Sequence, residues 1–256
     1  MNQINLFEEL IEDKELDMNI VKSFKTKDSL SKDIFDDSMS MNNDVRKQLL
    51  GVSHNFIESL GVEFFIHDVV LTGSLANYNW SSFSDVDLHI LIDMDEIAGE
   101  TNIFHDIVKE FFDSKKNVWN SKHNIKIKEF DVEIYVQDVN EAHVSSGVYS
   151  VLHDKWIVIP QKDKLDIDRR KIIERGEEFS QKIDNLIDKS NHGEDVIKGI
   201  EELRLKLKRF RQSGLDEGGE FSYENLTFKL LRRNGYIQKL LDLKTKIIDK
   251  KLSITQ

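Results

Sequence analysis

Two aspartates and a glycine–serine pair carry the chemistry of this sequence. Asp85 and Asp87 flank Val86 at the head of an apolar run that continues through Ile92. Side chains alternate faces along a strand, so both carboxylates point one way while Val86 and Leu88 point the other. Two carboxylates this close repel unless a cation lies between them. Mg²⁺ is typically held by one or two carboxylates together with substrate phosphates. Eleven residues before Asp85, another apolar run ends in Gly73-Ser74. A glycine after a strand lets the backbone approach a ligand closely, and a serine hydroxyl with neighbouring N–H groups can hold a phosphate.

Gly73-Ser74 followed by Ser84-Asp85-Val86-Asp87-Leu88 resembles the signature of the polymerase-β-type nucleotidyltransferase superfamily. The resemblance implies a strand ending in Gly-Ser, a short helix, a strand bearing an Asp-x-Asp metal pair, and a third carboxylate on a later strand. Phe130 to Val136 (FDVEIYV) fits that later strand, with Asp131, Glu133 and Tyr135 on one face and Phe130, Val132, Ile134 and Val136 on the other. Glu133, the more central acid, is the expected third ligand, with Asp131 as the rival, because the family accepts either acid. On the family's pattern Asp85, Asp87 and Glu133 would be the catalytic residues and would hold two Mg²⁺ or Mn²⁺ ions. Gly73 and Ser74 would hold the β- and γ-phosphates of a nucleoside triphosphate. The implied reaction transfers an NMP from an NTP to an acceptor hydroxyl and releases pyrophosphate.

The acceptor is not written in the sequence. A nucleic-acid 3′ end such as that of tRNA, a second nucleotide, a protein side chain and a small hydroxylated molecule all occur within the superfamily. The segment TGSLANYNWSSFSDVDLHILID also resembles uncharacterised nucleotidyltransferases of large-phage and bacterial genomes. The same residues admit other readings: an exposed acidic strand end beside a turn glycine, or a non-catalytic nucleotide-binding or toxin–antitoxin module that keeps the fold.

The elements that must position these residues suggest an α/β fold: a small mixed sheet with flanking helices, then a C-terminal helical bundle, with the site in the cleft between them. Residues 1–42 are expected as a helical and irregular segment, 43–160 as the catalytic domain and 161–256 as the helical domain. Leu6, Leu10 and Ile11 form a short apolar stripe, and Lys14 to Ser40 reads as partly extended or loosely packed. Asn43 could cap a helix that runs with Val45, Leu49, Val52 and Phe56 inward and ends at Leu60-Gly61. Val62 to Thr72 gives one or two strands, and Leu75 to Ser82 is the expected short helix, its Tyr78 and Trp80 read as packing residues. After a linker from Met94 to Glu100, Asn102 to Trp119 is helical, with Ile103, Ile107, Val108, Phe111 and Val118 as its apolar positions. Ile125 to Val136 is one long strand or a strand pair, and Val144 to Pro160 two short strands meeting near His153-Asp154, His153 itself reading as a surface residue.

Long helices follow: Ile172 to Lys189, Val196 to Arg211, and, past a glycine-rich break at SGLDEGGEFS, a last helix from Tyr223 to Leu252 that can bend at Gly235. Arg204, Lys208 and Arg211 share a face of the second, and Lys229, Arg232 and Arg233 lie on the last. They are either a solvated surface or contacts for a triphosphate or acceptor.

Composition sets outer limits. The 256 residues contain no cysteine, so neither a disulfide nor a thiolate metal site is available, and the eight histidines show no zinc spacing. No apolar run approaches the roughly 20 residues of a membrane helix. The acidic N-terminus lacks a signal-peptide pattern, so a cytoplasmic protein is expected. Residues 1–150 carry 13 Lys/Arg against 28 Asp/Glu, a charge of −15, whereas residues 151–256 carry 23 against 19, or +4. Strong duplex-DNA binding is not expected of so acidic a chain.

Overall fold

Alternation of apolar and polar residues in Val86–Ile92 builds a strand whose even-numbered side chains are buried while Asp87 and His89 stay half-exposed. The computed structural model describes residues 16–99, 102–141, 145–162 and 167–254. The stripe expected at Leu6, Leu10 and Ile11 lies outside them. The chain divides into two compact units, one of Thr26–Lys164 and one that joins residues 16–25 to residues 167–254.

The first unit holds a six-stranded mixed sheet: β1 (Asp68–Thr72), β2 (Val86–Ile92), β3 (Lys126–Ile127), β4 (Phe130–Asp138), β5 (Val148–Ser150) and β6 (Lys155–Val158), in the order β3-β4-β2-β1-β5-β6. β2 runs antiparallel to β1 and parallel to β4. A parallel pair needs a crossover, and here it includes the short α3 (Met94–Ala98) and the long α4 (Asn102–Lys122).

One sheet face is apolar. Val69, Leu71, Val86, Leu88, Ile90, Ile92 and Ile134 pack there with Leu49, Val52 and Phe56 of α2 (Asn43–Leu60) and Phe112 of α4. Gly61, in the left-handed region at φ 67°, ends α2 as expected. The opposite face keeps only a small apolar patch of Val70, Leu91 and Val148. Asp87 and Glu133 lie on that face.

Several expectations are corrected. Residues 26–42 are not loosely packed: Ile34 and Phe35 are fully buried, Phe35 stacks on Trp156 at 5.0 Å, and Trp156 Nε1 donates to Met39 O at 2.7 Å. Asn42, not Asn43, stands at the N-cap of α2, and its amide donates instead to Lys32 O and Asp33 O. No strand forms between Val62 and His67, and α3 replaces the linker at Met94. α4 presents Val108, Phe112 and Trp119 to the core, leaving Ile107, Phe111 and Val118 exposed, so the inward face is rotated by about one position.

In the second unit, α1 (Met18–Ser23) accompanies α5 (Arg169–Asn191), α6 (Ile197–Gly218), α7 (Tyr223–Arg233) and α8 (Tyr236–Leu252). Ile172, Phe179, Leu203, Leu207, Leu230 and Leu240 are among its buried side chains. The glycine-rich break comes later than expected, because α6 runs on through Gly214 to Gly218. The expected last helix is two helices, divided at Gly235 with φ 77°.

Candidate active site

The register of three neighbouring strands assembles the site. Asp87 pairs with Thr72 of β1 on one side and with Glu133 of β4 on the other. Residues directly opposite each other in a sheet point to the same face, so the two carboxylates stand side by side. Asp85 lies two residues earlier, half-buried, in the turn that leads into β2.

β1 stops at Thr72 because Gly73 adopts φ 71° and ψ −157°, a region open to glycine and costly for other residues. Its Cα faces the Asp87 carboxylate so closely that a side chain there would overlap Oδ2 and lie 3.0 Å from Cγ. The backbone of Gly73 and the carboxylate of Asp87 are thus two walls of one cradle.

Beyond Gly73 the expected helix shrinks to a single 3₁₀ turn, Ser74–Ala76, followed by irregular turns up to Asp85. Serines hold this segment in place. Ser74 Oγ donates to Ser84 Oγ at 2.7 Å, and Ser84 Oγ accepts the Ser81 N–H at 3.0 Å. Gly73 N–H reaches Ser145 Oγ at 3.3 Å, and Asn77 Nδ2 donates to Ser146 Oγ. Tyr78 and Trp80 pack inward as expected, Trp80 Nε1 donating to Ser29 O at 2.9 Å.

The rival acids differ in surroundings. Glu133 is half-buried, and its Oε2 accepts the Tyr135 hydroxyl at 2.5 Å. Tyr135 stacks on His89 of β2 at 4.8 Å, and Lys116 Nζ lies 5.1 Å from its ring centre. Asp131 is exposed, pairs with Lys126 of the edge strand β3, and forms an ion pair with it at 3.1 Å. Only Glu133 has Asp87 as its direct cross-strand neighbour. Sequence reading singled out neither Ser84 nor Tyr135 for a site role. Ser84 precedes Asp85 directly and Tyr135 shares the face of Glu133, so both signals were present.

The donor set suits hard divalent cations: carboxylate oxygens with no sulfur or nitrogen among the expected ligands, beside a cradle that a Cβ would fill. The basic residues belong to the helical unit. Arg204, Lys208 and Arg211 line a groove of ≈ 480 Å³ with Leu207, Phe228 and Ile237 in the helical unit. Arg204 pairs with Glu201 at 3.4 Å, and Arg211 lies 4.8 Å from the Phe228 ring centre. Lys229, Arg232 and Arg233 are on α7, where Arg233 lies 5.8 Å from the Phe24 ring centre. Among the described residues, no helix is long and apolar enough to cross a membrane.

No family model matches the chain, and no curated protein does. Among solved structures, a STING-associated CdnE c-di-GMP synthase from Capnocytophaga granulosa is similar at 11% identity, over 82% of this chain and 84% of that one, with a TM-score of 0.20. At that score the likeness carries no argument about fold or activity.

Proposed function

We propose that the chain is a metal-dependent nucleotidyltransferase that moves an NMP from an NTP to an acceptor hydroxyl, a nucleic-acid 3′ end or a second nucleotide, and releases pyrophosphate. One observation carries the proposal: Asp87 stands in register between Glu133 and the Thr72–Gly73 strand end, where only a residue without a side chain lets the backbone lie against its carboxylate. A solvated acidic strand end needs neither an acid on the neighbouring strand nor a glycine at that place.

Asp85, Asp87 and Glu133 would hold two Mg²⁺ or Mn²⁺ ions, which when bound neutralise phosphate charge and ease ionisation of the acceptor hydroxyl. The residues of the chain supply position. Gly73 lets its backbone lie against the phosphates, and the Ser74 hydroxyl beside it would turn its hydrogen from Ser84 Oγ to a phosphate oxygen. Tyr135 fixes one oxygen of Glu133 and thereby orients the other. As the acceptor oxygen bonds to the α-phosphorus, the bond to the bridging oxygen breaks and pyrophosphate leaves with the electron pair. Positioning and charge neutralisation account for the rate in such transfers.

Each NTP is offered with Mg²⁺ or Mn²⁺, alone and then with total tRNA, while pyrophosphate is measured and the product identified by mass. Turnover with at least one combination is expected. Tight NTP binding without pyrophosphate from any of them would replace this reading with a nucleotide-binding module.

A further inference from the structure

At the opposite end of the β1–β2 pair, His67, Asp93 and Glu96 each offer a ligand atom, and the three atoms lie within 4.8 Å of one another. Asp93 lies six positions beyond Asp87 along β2 and its extension, on the order of 20 Å at about 3.3 Å per residue. This cluster is therefore independent of the proposed nucleotide site.

Its geometry is built in. His67 N–H donates to Leu91 O at 2.9 Å, anchoring the backbone beside β2, and Phe65 meets the imidazole edge-on at 4.8 Å. Asp93 caps α3, its Oδ1 accepting the Asp95 and Glu96 N–H groups at 3.0 Å each. A second, separate observation concerns the imidazole. The ring is 34% exposed, yet Nε2 itself is shielded and has no hydrogen-bond partner, with Glu96 Oε2 3.9 Å away. A buried nitrogen without a partner costs free energy unless something binds it.

We propose that His67, Asp93 and Glu96 form a binding site for a first-row divalent transition ion, Zn²⁺ foremost. An imidazole nitrogen favours such ions over Mg²⁺ and Ca²⁺, which prefer oxygen throughout. One nitrogen and two carboxylates make a three-ligand set that leaves a position for water. The bound ion ties the segment entering β1 to the turn between β2 and α3.

The test uses the full chain with Asp85→Asn, Asp87→Asn and Glu133→Gln, so that the acids of the proposed nucleotide site contribute nothing. Equilibrium dialysis against Zn²⁺ in excess Mg²⁺ should retain one zinc per chain. Adding His67→Gln should weaken zinc binding at least tenfold and remove the visible d–d absorption seen when Co²⁺ replaces Zn²⁺. Should His67→Gln lose its fold by circular dichroism, the exposed Glu96→Gln substitutes for it in the same assay. Zinc binding unchanged by these substitutions, displaced by Mg²⁺, or absent before them overturns the site. None of these outcomes depends on whether the chain turns over NTP.

Discussion

The two ends of the β1–β2 ladder are both rich in carboxylates, yet they are built differently. At the Gly73 end, strand register brings Asp87 and Glu133 together, the Tyr135 hydroxyl bonds Glu133, and serine hydroxyls hold the adjoining Gly73 and Ser74. At the other end three acids lie against histidines: Glu96 and Asp93 cluster with His67, and Asp138, the register partner of Ile92, bonds His105 at 3.0 Å, while Asp68 accepts from Ser150 Oγ. Carboxylates paired with imidazoles carry compensating partners within the protein or suit a nitrogen-preferring ion. Carboxylates set beside one another and a bare glycine suit a hard cation and an anionic substrate. Charge composition is similar at the two ends, and the partner chemistry separates them.

The sharpest way to break the comparison is at Asp87. Asp87→Ala should lower nucleotide transfer by on the order of a thousandfold, as loss of a principal transition-state charge stabiliser does, while the melting temperature holds or rises because a like-charge neighbour has gone. Wild-type turnover in this variant would remove the site. Next in size is Glu133→Gln, which should cost far more activity than Asp131→Asn, because only Glu133 stands in register with Asp87. A larger loss from Asp131→Asn would move the third ligand to the edge strand.

Gly73 and Ser74 sharpen the same end. Gly73→Ala places a methyl group on the Asp87 carboxylate and forces alanine into a backbone region essentially reserved for glycine, so stability should fall by about 1–3 kcal/mol from the backbone alone. Activity should fall with it as Asp87 is displaced. Equal stability and activity in this variant would mean that the close approach has no role. Ser74→Ala should act mainly on NTP affinity, by about 1–2 kcal/mol, or roughly five- to thirtyfold in KM, for a charge-assisted bond. Manganese titration should match the wild type. An unchanged KM would leave the Ser74–Ser84 bond a structural one.

The Gly73 end was legible in the sequence because its residues follow strand rules. Alternation places Asp87 and Glu133 on one face, Asp85 lies just before the strand, and a glycine before polar residues marks the strand end. What the sequence could not express was partner identity across long separations. Lys14 to Ser40 reads as polar, but its few apolar residues, Phe35 above all, find Tyr149 and Trp156 more than a hundred positions away. Likewise the apolar positions of α4 are clear, whereas the face turned to the sheet depends on where Phe56 and Phe64 already lie, against Trp119 and Phe112. The histidine end was invisible for the same reason. No short spacing links His67 to Asp93, or His105 to Asp138, and histidine–carboxylate pairs leave no periodic trace.

The smallest expected effect lies at that end and is a pH dependence. The hydrogen bond that His105 donates to Asp138, with the charges of Asp95 and Asp106 nearby, raises the His105 pKa above its ordinary 6.5, despite some opposing burial. Burial pushes Asp138 up, but hydrogen bonds from Asn140 and His105 outweigh it and hold the carboxyl below its ordinary 3.8. A raised histidine contributes stability fully below 6.5, and that contribution fades as pH rises through its folded value. A lowered carboxyl contributes above 3.8 and loses its contribution as pH falls through its folded value. The pair therefore stabilises most between those two ordinary values. The melting-temperature gap between wild type and His105→Gln should be widest in that window and narrow on both sides, by a few degrees at most for a partly exposed ring. A gap that stays constant with pH, or widens in alkali, would show that His105 acts through packing, and the charge contrast between the two ends of the ladder would then rest on His67 alone.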